Sequence, residues 1–296
     1  MASFVHLLLS LLSRLPLPWL QSLGAWCGRW TLRWSPKFAQ RLEQNLERSK
    51  TLGSYQVFPD AVKRCAEETG KGALELSVAW CRSPEYIASM VQDCDGWEYV
   101  VAAQERGHGI IFVTPHLGSY DIAGRYISHR LPFPLTAMYR PPRLTWLNPV
   151  MNAGRSRGKG KTAPATGAGV RLLMKALKNG EATIILPDQA PGNGEGVWAP
   201  FFGRPAYTMT LVPRLAQIKG VETLLFFGER LPQGAGFKVH IEPLPEAFTG
   251  DKDQDAARLN RAVEGLIRRA PLQYLWSYNR YKCPAGVEAP VATDQG

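Results

Sequence analysis

Ile110-Ile-Phe-Val-Thr-Pro-His-Leu-Gly-Ser-Tyr-Asp121 is the stretch on which the reading of the chain turns. Its first residues form a short apolar, β-branched run closed by Pro115 and a polar turn. That pattern predicts a buried strand that delivers His116 to its carboxyl end. The following Ile122-Ala-Gly-Arg-Tyr-Ile127 reads as helix. His116 and Asp121 are five residues apart, about 500° around one continuous helix, so they would face apart if both were helical. They meet only if His116 stays in the loop and Asp121 opens the helix. A carboxylate in that place can fix the imidazole's tautomer and stabilise its protonated form. A histidine near a strand end is more often structural than catalytic, and the spacing alone does not decide between the two. Ser119 lacks the Gly-x-Ser-x-Gly elbow that exposes a serine nucleophile, and it is expected to cap the helix.

Downstream, the pattern of a strand with polar residues at its end recurs twice. Leu135-Thr-Ala-Met-Tyr139 predicts a strand ending on Arg140, and Ala182-Thr-Ile-Ile-Leu-Pro187 predicts one that delivers Asp188 and Gln189. Open α/β sheets bind ligands at such carboxyl ends. Between them, residues 154–169 read as a glycine-rich basic loop, and Val170 to Lys178 as a helix that stops at Gly180. Gly192, Gly194 and Gly196 match neither a Walker loop nor a dinucleotide fingerprint, so no nucleotide is assigned. Trp198 to Phe202 read either as core or as aromatics lining an acyl-chain groove.

Before the central strand, helices are predicted at 38–50, 61–68, 73–81 and 86–91. After the third strand come a helix at 211–219, strands at 223–228 and 237–242, and an amphipathic helix from Asp253 to Arg269. Strands alternating with helices give an α/β fold: one three-layer domain around a central mixed sheet, with no repeat.

A chain of 296 residues with 45% apolar content can bury a full core. Its five cysteines fall at irregular spacing, which fits neither a zinc pattern nor an even disulfide framework and suits a reducing compartment. The net charge of +10 is unevenly spread. Residues 1–42 hold five Arg or Lys and no acid, and residues 122–180 hold eleven and no acid. Such a field attracts anionic partners. The run Arg155-Ser-Arg-Gly-Lys-Gly-Lys161 would suit phosphates, but no nucleic-acid module surrounds it, and a lipid headgroup, an acidic protein or an anionic leaflet satisfies the same field.

Phe4 to Leu12 and Leu15 to Gly28 are two apolar runs, separated by Arg14 and interrupted by Pro16 and Pro18. Neither reaches the eighteen or so uncharged residues of a spanning helix, and no signal-peptide pattern is clear. Four of the nine tryptophans fall within the first 34 residues, and tryptophan favours membrane interfaces. Residues 1–34 are therefore expected to form a monotopic anchor or one distorted span, and residues 284–296 a disordered tail.

The His-x-x-x-x-Asp pattern of His116 and Asp121 resembles the hallmark of the glycerolipid and lipid A acyltransferase superfamily. Five further stretches, in this order, resemble its late lipid A acyltransferase branch: Tyr139-Arg140-Pro141, Gly154-Arg155-Ser-Arg157, Pro187-Asp188-Gln189, Phe201-Phe202-Gly203, and Gln273-Tyr-Leu-Trp276 with Arg280-Tyr-Lys282. Leu272 departs from the pattern, in which Glu precedes the Gln-Tyr pair. The resemblance implies an acyltransferase domain over residues 35–283, with His116 as general base and Asp121 orienting it. Arg140 and Arg155 would hold anionic groups, and Asp188 and Gln189 would form a third site motif. It implies acyl carrier protein as donor, a phosphorylated glucosamine lipid as acceptor, and work on the cytoplasmic face of a bacterial inner membrane. It implies no cofactor, no metal and no acyl-enzyme, because a thioester is already activated. Two other readings stay open on the residues alone: acylation of a lysophospholipid or aminolipid, and a non-catalytic lipid-binding protein at the membrane surface.

Overall fold

The computed structural model describes residues 2–52, 58–139, 148–192 and 194–290. Five helices come first: α1 (Ala2–Leu12), α2 (Leu17–Trp34), α3 (Pro36–Ser49), α4 (Phe58–Cys81) and α5 (Pro84–Ser89). Then β1 (Val91–Asp95), α6 (Trp97–Glu105), β2 (Gly109–Val113), α7 (Tyr120–Arg130) and β3 (Leu135–Tyr139) follow. Next are α8 (Asn148–Arg155), β4 (Gly160–Pro164), α9 (Gly167–Lys178) and β5 (Ala182–Ile185). A hairpin of β6 (Gly196–Phe201) and β7 (Arg204–Met209) leads to α10 (Leu211–Ala216), β8 (Val221–Arg230), β9 (Phe237–Pro243) and α11 (Lys252–Arg269).

Seven strands form the central sheet in the order β1-β9-β8-β2-β5-β3-β4. Every neighbouring pair is parallel except β8 with β9, which the short link at 231–236 forces to be antiparallel. The sheet is therefore mixed, as expected. Alternate residues of β2 serve opposite cores. Ile111 and Val113 pack with α9, α10 and α11, while Ile110 and Phe112 pack with α6 and α7. Cover on both faces explains why the strand reads as a continuous apolar run rather than an alternation, and it makes three layers.

β1, α6, α8 and the β6–β7 hairpin have no counterpart in the sequence reading, and two further differences have a plain cause. The expected basic loop at 154–169 contains β4, whose Gly-Lys-Thr-Ala-Pro sequence has no run of large apolar residues and suits the sheet edge, where one side is left to solvent. The two helices expected at 61–68 and 73–81 are one, α4. Gly70, between the two expected helices, is a contact point. A Cβ on Gly70 would come within 2.0 Å of the Gly24 carbonyl oxygen, and one on Gly28 within 2.0 Å of the Ala66 oxygen. Helices α2 and α4 thus cross backbone to backbone.

The same crossing sorts the faces of α2. Leu20, Gln21, Gly24, Ala25 and Gly28 are buried, and Gln21 donates its side-chain N–H to Glu75 Oε1 at 2.8 Å. Trp19, Leu23, Trp26, Trp30 and Trp34 stand exposed, at helical spacing along the outer face, with Leu7, Leu8 and Leu11 of α1 also exposed. Among the described residues, no helix is long and apolar enough to cross a membrane.

Candidate active site

Strand register builds the centre. Val113 of β2 lies opposite Ile185 of β5 in parallel pairing. Three residues on from each come His116 and Asp188, and they meet. The His116 main-chain N–H donates to Asp188 Oδ2 at 2.9 Å, and His116 Nδ1 lies 2.8 Å from Asp188 Oδ1. A proton on Nδ1 satisfies that contact and leaves Nε2 as the basic nitrogen. Gln189 places its side-chain nitrogen 3.3 Å from Nε2, where it can donate to that lone pair. Tyr120 sets its ring edge against the imidazole at a centroid separation of 4.9 Å.

Asp188 is almost fully buried. Burial alone would raise its pKa, but the facing His116 charge, the two hydrogen bonds from His116 and the nearby Arg280 outweigh it and hold the carboxyl below its ordinary value. Tyr274 is buried beside it, and burial together with the Asp188 charge keeps the phenol protonated.

The expected contact between Asp121 and His116 is not made. Asp121, in the first turn of α7, instead accepts from Arg155 Nε at 3.2 Å and from a second Arg155 guanidinium nitrogen at 3.0 Å. The reason is topological: the strand beside β2 brings its own carboxylate to the imidazole, while Asp121 turns toward the end of α8. Burial disfavours the Arg155 charge, but the facing Asp121 more than compensates, and the guanidinium pKa is raised.

The loop that carries His116 spends its own N–H groups internally. Leu117 donates to the Pro115 carbonyl, Gly118 to that of Gln273 and Ser119 to that of Gly228, while His116 serves Asp188. Gly118 has φ +59°, and a Cβ there would strike the Gly228 carbonyl oxygen at 2.0 Å, so this position requires glycine. Ser119 stands at the α7 N-cap position as expected, buried, but its hydroxyl makes no capping bond. From the other side, Leu275 N–H donates to the His116 carbonyl at 3.1 Å. Gln273 brackets Arg230, accepting from its backbone N–H at 2.9 Å and donating to its carbonyl at 3.0 Å. The Gln273-Tyr-Leu-Trp276 stretch is thus the clamp on the His116 loop, and Leu272 packs on the core where the pattern would have Glu. Behind the clamp, the buried Arg230 side chain is held by Glu75 through two bonds of 2.7 Å and by Glu68 at 2.5 Å.

A cavity of about 460 Å³ opens in front of Nε2, lined among others by His116, Arg155, Gln189, Met138, Leu186 and Val170. Of the expected site residues, His116, Arg155 and Gln189 line it, while Asp188 and Asp121 stand behind His116 and Arg155. Arg140 lies outside the described residues. Gly154 is fixed by packing, since a Cβ there would come within 2.6 Å of the Trp80 backbone, and Arg157 donates to the Arg82 carbonyl at 3.1 Å. Trp198 to Phe202 line no part of the cavity. Phe201 and Phe202 are core, and Trp198 donates to the Glu288 carbonyl, so the acyl-groove reading of this stretch is corrected. The clamp escaped the sequence reading because nothing in its pattern marks a partner more than 150 residues upstream. The dyad left a signal, since His116 and Asp188 each follow directly on a proline that closes a strand-like run, Pro115 and Pro187.

The family model for the bacterial lipid A biosynthesis acyltransferases matches residues 1–283. A lipid A biosynthesis palmitoleoyltransferase of Escherichia coli strain K12 is 30% identical over 214 residues, 72% of this chain and 68% of the relative. A lauroyltransferase of the same organism is 30% identical over 228 residues, 75% of this chain and 72% of the relative. A myristoyltransferase is 24% identical over 198 residues, 66% of this chain and 60% of the relative. The match runs unbroken from the N-terminal helices past the clamp, and the chain belongs to the bacterial lipid A biosynthesis acyltransferase family, an acyltransferase of lipid A synthesis.

Proposed function

We propose that the enzyme moves a fatty acyl chain from the thioester of acyl carrier protein to a hydroxyl of a phosphorylated glucosamine lipid, a lipid A precursor. The observation that carries this reading is the His116–Asp188 pair, with His116 at the head of the cavity. Nε2 takes the proton of the acceptor hydroxyl as its oxygen attacks the thioester carbonyl. Asp188 keeps the proton on Nδ1 and stabilises the imidazolium. As the tetrahedral intermediate collapses, the thiolate leaves and takes the proton from Nε2. The peptide N–H groups of residues 116–119 are already committed, so side chains meet the oxyanion. Arg155 and Gln189, which line the cavity with His116, are the side chains assigned to it. Asp121 fixes the Arg155 fork, which makes Asp121 a positioning residue rather than the partner of the base. Arg140 and the other basic residues of 122–180 supply the field for the acceptor's phosphates and for an acidic carrier.

The deciding assay offers purified enzyme and acyl carrier protein thioester to a tetra-acylated lipid A precursor and, separately, to lysophosphatidic acid. Faster acylation of the precursor is expected. Faster acylation of lysophosphatidic acid would overturn the acceptor assignment, and turnover of neither would favour a lipid-binding protein.

The exposed tryptophan face of α2, with Arg14, Arg29, Arg33, Lys37 and Arg41 nearby and no acid in residues 1–42, supports seating on the cytoplasmic face of the inner membrane. Changing Trp19, Trp26, Trp30 and Trp34 together to serine should release the protein from anionic vesicles in a sedimentation assay. The wild type should keep a salt-resistant fraction, because only the charge term is screened. Unchanged sedimentation of the fourfold variant would place the contact elsewhere.

A further inference from the structure

A second cavity, of about 50 Å³, adjoins the first at Tyr120, Met138, Arg155 and Leu186, which line both. Arg125 and Ser128, three residues apart on one face of α7, also line it, as does Lys161 of the edge strand β4. Arg125 is only 5% exposed. Its Nη1 donates to the carbonyls of Arg155 at 3.4 Å and Arg157 at 3.2 Å, where α8 ends. Its Nε and Nη2 are buried and meet no acceptor among the described residues. A guanidinium keeps its charge inside a protein, so Arg125 is a buried cation with two donor nitrogens unmet. The neighbouring acids do not meet them. Asp121 gives both carboxylate oxygens to Arg155, and Glu85 stands on the exposed side of α5. Burial and the Arg157 charge lower the Arg125 pKa by more than Asp121 and Glu85 raise it. Buried charges are ordinarily paired and their donors hydrogen-bonded.

We propose that this second cavity binds a small monovalent anion of the halide class, held by Arg125 Nε and Nη2 and drawn in by the Lys161 charge. Arg125 supplies the fork of donors, and the Ser128 hydroxyl is a further donor in the same wall. Size sets the class of ligand. A water needs roughly 10–15 Å³ of such space, so the cavity takes one ion with a water or two rather than a lipid headgroup. The lining sets the charge. Leu135, Ala137 and Ile184 form part of the wall, and the cost of drying an ion grows with the square of its charge, which favours a monoanion over a phosphate dianion. The ion also bears on the first cavity. With Arg125 neutralised in place, its Nη1 stays on the last carbonyls of α8, the helix that ends with Arg155.

The test melts the full-length enzyme while potassium chloride replaces potassium gluconate at constant ionic strength, gluconate being too large for the cavity. The wild-type Tm should rise and then level off, by roughly 2–5 °C between no chloride and about ten times Kd. A bulk effect of the salt on hydration would not level off. Arg125→Met should remove the saturating part. Lys161→Gln changes a side chain that is 57% exposed, so the fold should tolerate it, and it should raise the half-saturating chloride about fivefold, the share of one solvent-screened charge at close range. No saturation in the wild type would mean that water alone fills the cavity, and equal saturation in Arg125→Met would put the ion elsewhere. Either result sinks the proposal. Should Arg125→Met fail to fold, the Lys161→Gln midpoint decides, and an unchanged one counts against the site. The readout is melting rather than turnover, so a failure of the transfer reading would leave this test standing.

Discussion

His116→Ala should lower turnover by about 10² to 10⁴, the range for removing a general base. Asp188→Asn should fall within the same range although it keeps the side chain's shape. The amide cannot stabilise an imidazolium, and it allows the ring to reverse its tautomer. Asp121→Asn should act differently. It leaves the base intact and loosens the Arg155 fork, so its loss should be smaller than that of Asp188→Asn. Comparing the two variants under single-turnover conditions separates the partner of the base from the positioning residue. A larger loss for Asp121→Asn would restore the pairing expected from spacing alone. Ser119→Ala should be mild, and trapping an acyl group on Ser119 would overturn direct transfer. The pH dependence follows from Asp188. Its pKa is lower in the folded than in the unfolded chain, so its contribution to stability is complete above the ordinary carboxylate value. It disappears as pH falls through the lowered value, and Asp188→Asn should remove that part of the acid-side loss.

Arg230→Ala should be the most destabilising single change outside the dyad, costing roughly 3–5 kcal/mol, because it strands buried carboxylates without their counter-charge. Glu75 and Arg230 are both almost fully buried, and each bond between them is 2.7 Å. Urea denaturation followed by tryptophan fluorescence would show the shift in midpoint. Replacing Arg230, Glu68 and Glu75 together with apolar residues of similar volume should cost less than removing the arginine alone, since no unpaired charge remains. An Arg230→Ala midpoint equal to wild type would mean that water reaches the carboxylates.

The parts of this fold that rest on local pattern were legible. The β2, β3 and β5 runs, the α11 amphipathic spacing and the strand-end position of His116 all appear in the structure as read. What escaped depends on partners distant in sequence. β4 has no apolar signature because it is an edge, and β1 carries Gln92, Asp93 and Asp95 for the same reason. The helix α4 was read as two, whereas Gly70 within it is needed for its lack of a side chain against α2. The identity of the carboxylate at His116 required knowing that β5 lies beside β2. His-x-x-x-x-Asp suggested the nearest acid in sequence, but the sheet supplied the nearest in space.

The backbone crossing of α2 on α4 bears on how this enzyme can be handled. A segment with four tryptophans on its outer side invites removal to obtain a water-soluble enzyme. Cutting it away would bare the α4 groove that receives Gly24 and Gly28 and would take Gln21 from Glu75, and through Arg230 and Gln273 the loss reaches the loop of His116. The helix is at once the hull and part of the engine mount. A detergent-free form should therefore be sought by repainting its outer tryptophans and leucines with polar residues while leaving every inner glycine in place.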